Sequence, residues 1–306
     1  MPPSPSSVPL RQTVLGVFYA CTATSLGGMT VALTRLIIHQ SDPLSLTFVR
    51  YGMGALVLLA ILLPSLRFRW FLPRDLIWMS LLGAVMFAAF PYFMARALED
   101  TTAARGALLF STLPLITLAQ AALLRIERMT VLKGVSVALA ILGAGLALSE
   151  RMGDVAPNAL RGDAFMFAGM VCASSFNVFS QRFMIRYGNM RVLVYTMFVG
   201  IVLLFVLALI FGKPFSGSLD FDAYGWFIMF MLGIPGGAMM MYTWSRALQL
   251  ISPTQVAITV GLNPLTAIML GAWLMAEPVS GHVAAGFLLI VSAIVLANLR
   301  FKKKDI

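Results

Sequence analysis

Charge is what this chain has least of. Of its 306 residues, 11% are charged, against roughly 25% in a soluble domain. Too few charges are present to solvate a water-facing surface, so a soluble globular protein is excluded and most of the surface must face lipid. Cysteine is scarce as well: Cys21 and Cys172 each sit inside an apolar run. They read as reduced packing residues, not as a disulfide. The two histidines, His39 and His282, lie near helix ends. No His-Glu-x-x-His, Gly-x-Ser-x-Gly or central pair of aspartates is present, which excludes the usual intramembrane enzyme sites. No metal, cofactor or catalytic residue is expected. All twelve acids fall in loops, tails or helix ends. A carboxylate at membrane depth is the usual proton or sodium carrier, so its absence favours facilitated diffusion or exchange. Coupling would fall to Glu127 or Glu277, if either folds inward.

What is there is apolar: 60% hydrophobic residues and a mean hydropathy of +0.91. The net charge of +10 does not mark a nucleic-acid binder, because the basic residues lie in short loops between apolar runs. A spanning helix needs about 20 mostly apolar residues. Ten such segments lie near 13–34, 44–63, 76–97, 103–124, 131–149, 163–183, 192–211, 223–245, 254–275 and 279–299. The first is longer than a signal-peptide core and is followed by no cleavage site, so it reads as a membrane helix. Residues 1–12, rich in Pro and Ser, read as a disordered cytoplasmic tail, and 300–306 as a basic one. The terminal Lys303-Lys304-Asp305-Ile306 also matches a dilysine retrieval signal, but reads here as part of that basic tail.

Charge sets the orientation. With the N-terminus inside, fifteen Lys and Arg lie on the cytoplasmic side. Six lie outside: Arg35, Arg96, Arg105, Arg151, Arg161 and Lys213. The positive-inside rule therefore places both termini in the cytoplasm.

The chain also reads nearly the same twice. Residues 76–149 align with 226–299 at a fixed offset of 150, without a gap and with about one position in four identical. Leu82-Gly83, Tyr92, Arg96-Ala97-Leu98, Pro114-Leu115 and Glu127 return as Leu232-Gly233, Tyr242, Arg246-Ala247-Leu248, Pro264-Leu265 and Glu277. Residues 13–149 thus form a first five-helix repeat, 150–162 a linker and 163–299 a second repeat. Five is odd, so the second half enters the membrane upside down. Inverted repeats give two nearly equivalent conformations, one open to each side. The expected fold is an all-α integral membrane protein of ten transmembrane helices in two inverted repeats.

These paired motifs, with Phe48-Val49-Arg50 in the second helix, resemble the EamA-type branch of the drug/metabolite transporter superfamily. The likeness runs from about residue 13 to 299, and departs at Arg128-Met129, where the second repeat has Pro278-Val279. The resemblance implies a central cavity lined by helices 1, 3, 4, 6, 8 and 9.

The residues themselves point to similar helices. Tyr92 and Tyr242 each precede an arginine by four residues, so each pair shares a helix face. Their rings fit either a flat ligand or helix packing. Ser174, Asn177 and Gln181 make one polar stripe on helix 6, which should face the bundle as ligand contact or as interhelical glue. Asn263 beside Pro264 has similar standing, and Thr24 is a cavity group or a close helix contact beside Gly27-Gly28. Gly233-Ile234-Pro235-Gly236-Gly237 is the sharpest expected helix break, with a weaker one at Phe90-Pro91-Tyr92. Arg50, about two turns into helix 2, reads as an anchor on a neighbouring helix end. Arg96 and Arg246 read as gate residues or snorkelling anchors. The expected function is secondary transport of a small polar or amphipathic metabolite, such as an amino acid. A vitamin or nucleobase-like solute is the alternative; a lipid-handling protein is the competitor from another class. The expected partners are substrate and bilayer, not nucleic acid, with the chain a monomer or homodimer in a cell membrane, the bacterial inner membrane being favoured.

Overall fold

The structure is a computed structural model, and it describes residues 10–37, 40–65, 71–100, 106, 109–149, 159–215, 217, 219–275 and 281–298. These contain helices and no β-strand. Proline and side-chain caps start many of them. Asp42 Oδ1 accepts from the amides of Leu44 and Ser45 at the head of α2 (Pro43–Leu62), and Asp222 caps the helix that starts at Ala223 by accepting from Gly225 N at 2.7 Å. Such a cap satisfies amide donors that the first helical turn leaves open.

Before α2 comes α1 (Leu10–Ile37). Helix α3 runs through Pro73–Ala84, a π turn at Val85–Ala89, and Phe90–Asp100. Then come α4 (Leu113–Leu123), α5 (Val131–Leu148), α6 (Ala159–Tyr187) and α7 (Asn189–Phe211). Helix α8 runs through Ala223–Gly233, a π turn at Ile234–Met239, and Met240–Leu250. Helix α9 is Pro253–Ile258, a 3-10 turn at Thr259–Gly261, and Leu262–Met275, and α10 is Gly281–Asn298. Gly188, at φ 89, lets the chain reverse between α6 and α7 in a single residue.

Three boundaries differ from the sequence reading. The fourth helix, expected as one rod over 103–124, is interrupted in its described part by a turn at Ser111–Thr112. Pro114 has no amide to give the Phe110 carbonyl, which removes one hydrogen bond of a continuous helix at this point. Its remaining eleven residues rise only about 16 Å at 1.5 Å per residue. Leu10, Arg11 and Gln12, expected in the disordered tail, are helical, and so are 159–162 of the expected linker. A helix outlasts its apolar window because its backbone hydrogen bonds continue wherever the side chains are solvated.

Nine helices among the described residues are long and apolar enough to cross a membrane, with Leu113–Leu123 as a shorter apolar one. The outer surface agrees. On α7, Val202, Val206, Leu209 and Ile210 recur at helical spacing and stand exposed, which water would penalise and lipid does not. The chain is a multi-pass membrane protein.

Helix pairing follows a rule. Helix α1 packs on α9 and on the second segment of α8; α6 packs on α4 and on the second segment of α3. The first segment of α3 lies on α7, and that of α8 on α2; α2 pairs with α7, α4 with α9, and α5 with α10. Exchanging each helix for the one five places along returns the same list. Close approach is paid for by glycine where helices cross. A Cβ on Gly28 in α1 would stand 1.7 Å from Thr266 Oγ1 and 2.3 Å from the Asn263 carbonyl of α9. Residues of α1, α2, α3, α6, α7 and α8 dominate one buried cluster, and those of α5, α9 and α10 a second.

Candidate membrane-embedded binding site

The site begins with backbone, not with side chains. Four helices are irregular: α3, α4, α8 and α9. The π turns at 85–89 and 234–239 fall within one residue of the offset of 150, and the breaks at 111–112 and 259–261 within two. Each has a proline nearby. Pro235 leaves the Met231 carbonyl without its helical donor; Pro91 does so for Phe87, Pro114 for Phe110 and Pro264 for Val260. Non-helical backbone at membrane depth is tolerated only where protein buries it or a cavity wets it. Helices α2, α5, α7 and α10 carry no such break within their cited bounds.

Between the irregular helices stands a polar cluster built on α6. Ser174 Oγ donates to Gln120 Oε1 of α4 at 2.8 Å, and Gln120 Nε2 donates to Ser175 Oγ at 3.4 Å. One turn further on, Trp244 Nε1 of α8 donates to Asn177 Oδ1 at 2.9 Å. Asn177 is 1% exposed, and its Nδ2 has no hydrogen-bond partner among the described residues. A buried donor left unpaired costs about 1–3 kcal/mol, which a ligand acceptor would recover. Gln181 completes the stripe differently. Its Nε2 donates to the Leu248 and Ile251 carbonyls at 2.7 and 3.1 Å, closing the end of α8 against α6.

The other expected residues are scattered around this cluster. Tyr242 is half-buried on α8, two residues before Trp244 and so on another face of the helix. Tyr92 packs its ring on Phe211 at 5.2 Å and Phe93 at 5.8 Å, toward the end of α7. Asn263 lies where α9 meets Gly27 of α1, with its Oδ1 buried and without a hydrogen-bond partner among the described residues. Thr24 is buried, and its hydroxyl is bonded to the Ala20 and Cys21 carbonyls of its own helix. Arg50 reaches not a helix end but the interior of α8: its Nη2 donates to the Gly236 carbonyl at 3.0 Å, inside the π turn. Arg96 stacks over Phe165 at 5.9 Å. Arg246 donates to Gln249 Oε1, and Gln249 Nε2 in turn holds the Met184 carbonyl of α6.

Glu127 pairs with Lys133 through Oε2 and accepts from Thr254 N through Oε1 at 3.1 Å, so its carboxylate ties α5 to the head of α9. Glu277 lies outside the described residues. Sequence reading missed Gln120; the available signal was a lone amide in the apolar run Leu113–Leu123. Among the described residues no group of His, Cys, Asp and Glu is placed to hold a metal.

The family model of EamA-like transporters matches the chain twice, over residues 14–149 and 160–299. A relative named as an uncharacterized transporter, YyaM of Bacillus subtilis, is 22% identical over 277 residues, 89% of each chain. A protein of known crystal structure superposes with a TM-score of 0.78 at 20% identity, covering 92% of this chain and 96% of its own. That likeness speaks to the fold.

Proposed function

We propose, from the premise that this chain belongs to the EamA-like transporter family, that it moves a small polar or amphipathic metabolite by alternating access. An amino acid or a related compound fits the polar groups best. The observation that carries the reading is the matched set of backbone breaks in α3, α4, α8 and α9, flanking the cluster of Gln120, Ser174, Asn177 and Trp244. Breaks at corresponding depths of two halves are where transporters of this kind bind and bend. The double family match and the exchange rule in helix pairing support two repeats, 13–149 and 163–299, in opposite orientation.

In this reading Asn177 donates Nδ2 to a substrate oxygen. Trp244, its ring held by the bond to Asn177, offers a face for stacking. That face favours a second solute class, a flat vitamin or nucleobase-like compound. Tyr242 borders the same space; Tyr92 and Arg96 lie toward the external end, Arg246 toward the internal end. Arg50 fixes the bulge of α8, and Asn263 serves the α1–α9 contact. Among the described residues no carboxylate stands beside the cluster of Gln120, Ser174 and Asn177 to carry a proton, so transport runs down a solute gradient or by exchange. Both termini lie in the cytoplasm, in a bacterial inner membrane.

A thermal-shift screen of purified protein against metabolites identifies the ligand, because binding to the folded state alone raises apparent stability. In liposomes that ligand should then equilibrate or exchange without an imposed pH gradient. Uphill accumulation that requires the gradient, and is lost in Glu127→Gln, overturns the proposed energetics. Reporter fusions at Lys304 and within 150–162 should give opposite signals; like signals overturn the orientation.

A further inference from the structure

We propose that the cleft between the first turns of α3 and the last turns of α6 binds the phosphate of an anionic phospholipid. The cleft measures ≈ 380 Å³ and is lined by Arg74, Asp75 and Trp78 of α3 with Arg182, Phe183 and Arg186 of α6. Three guanidinium groups face one carboxylate. Asp75 Oδ2 is taken twice, by Arg186 Nη1 at 2.9 Å and by the Tyr187 hydroxyl at 2.5 Å. Arg182 rests on aromatic faces, 4.5 Å from the Phe183 centroid and 6.0 Å from that of Trp78. Neither Arg74 nor Arg182 has an acidic partner among the described residues. The cleft therefore carries an excess of two positive charges, with planar N–H forks suited to phosphate oxygens.

Its setting selects a lipid over a free anion. Trp78 is 46% exposed, as an indole at a bilayer interface is. Ile77, Leu81 and Ile185 stand exposed on the same helix ends, 71%, 51% and 59%. A phosphate held by the arginines would leave its acyl chains against this apolar margin; an inorganic ion has no use for it. Basic pockets between helices at the cytoplasmic face bind anionic head groups in this way. The assignment to the cytoplasmic leaflet rests on the N-inside orientation proposed above; the phosphate site does not. Arg74 comes from the first half of the chain and Arg182 and Arg186 from the second, so a bound lipid straps the halves together beside the Asp75 ion pair.

The test uses full-length protein in detergent micelles, which have no sides, so its result is independent of orientation. Dioleoyl phosphatidylglycerol or dioleoyl phosphatidylcholine is titrated in, and retained lipid is counted by native mass spectrometry. Phosphatidylglycerol should be retained at severalfold lower concentration than phosphatidylcholine. The double variant Arg74→Gln/Arg182→Gln should lose that preference. The matched double variant Arg11→Gln/Arg128→Gln, at exposed sites elsewhere on the proposed cytoplasmic side, should keep it. If the first double variant is not recovered folded, either single variant should show a two- to threefold loss. Unchanged preference in the cleft variants, or an equal loss in the matched variant, overturns the site. Displacement of the lipid by inorganic phosphate at equal concentration overturns the choice of a lipid.

Discussion

Asn177 concentrates the argument at the scale of one residue. Its oxygen is spent on Trp244 and its amide nitrogen is idle in a buried setting. Replacing it with alanine removes a substrate donor and strands the indole N–H together. Ligand affinity in Asn177→Ala should fall roughly tenfold, for the loss of one or two hydrogen bonds of about 0.5–1.5 kcal/mol each. Tyr242→Ala should weaken binding severalfold at little change in melting temperature, while Tyr92→Ala, which loses the Phe211 contact, should instead lower that temperature. Affinity measured beside melting temperature separates the two; normal affinity in both removes the tyrosines from the site. Gly28 is the opposite kind of residue, defined by what it lacks. Gly28→Ala forces α1 off α9 and should destabilise by about 1–3 kcal/mol. Adding Thr266→Ala should restore only part, since the Asn263 carbonyl still stands 2.3 Å from the new methyl.

Among the elements, α8 tests the account best. Its π turn combines a missing amide at Pro235 with an arginine that holds the Gly236 carbonyl from α2. An arginine at membrane depth costs about 2.5–3.5 kcal/mol by insertion scales, so this bond must return something. Arg50→Met should lower the melting temperature, and Arg50→Lys should recover part of the loss, because an ammonium can still donate to the Gly236 carbonyl. Pro235→Ala lets the amide rejoin the helix; it should raise stability and slow transport, because a bend at this position is then harder. A faster transporter would contradict the hinge. The Gly-Pro run from Gly233 to Gly237 announced this break in the sequence, and the paired tyrosine and arginine motifs announced the double match to the family model. The breaks near Ser111 and Thr259 were not legible. A proline two or three residues inside an apolar run predicts a missing hydrogen bond, not whether the chain kinks or turns. The pairing of Ser174 with Gln120 was equally hidden, because the polar stripe on α6 was visible but its partner on α4 depends on how helices rotate against each other. The reach of Arg50 into α8 was hidden for the same reason: only packing sets which helix lies opposite.

For the molecule as a whole, the account says that two halves of opposite orientation share one central site that opens to each side in turn. Composition made the apolar segments readable, since lipid acts on every one of them at once, and loop charge supplies the proposed orientation. The shared site needs a measurement that requires no knowledge of the substrate. Cys21 and Cys172 are free thiols and can be replaced by serine, leaving Asn177→Cys as the single target. A membrane-impermeant thiol reagent is then applied to right-side-out vesicles and, separately, to inverted ones. Alternating access predicts that the same cysteine is modified from both faces. Modification from one face only, in protein that remains folded, would contradict it.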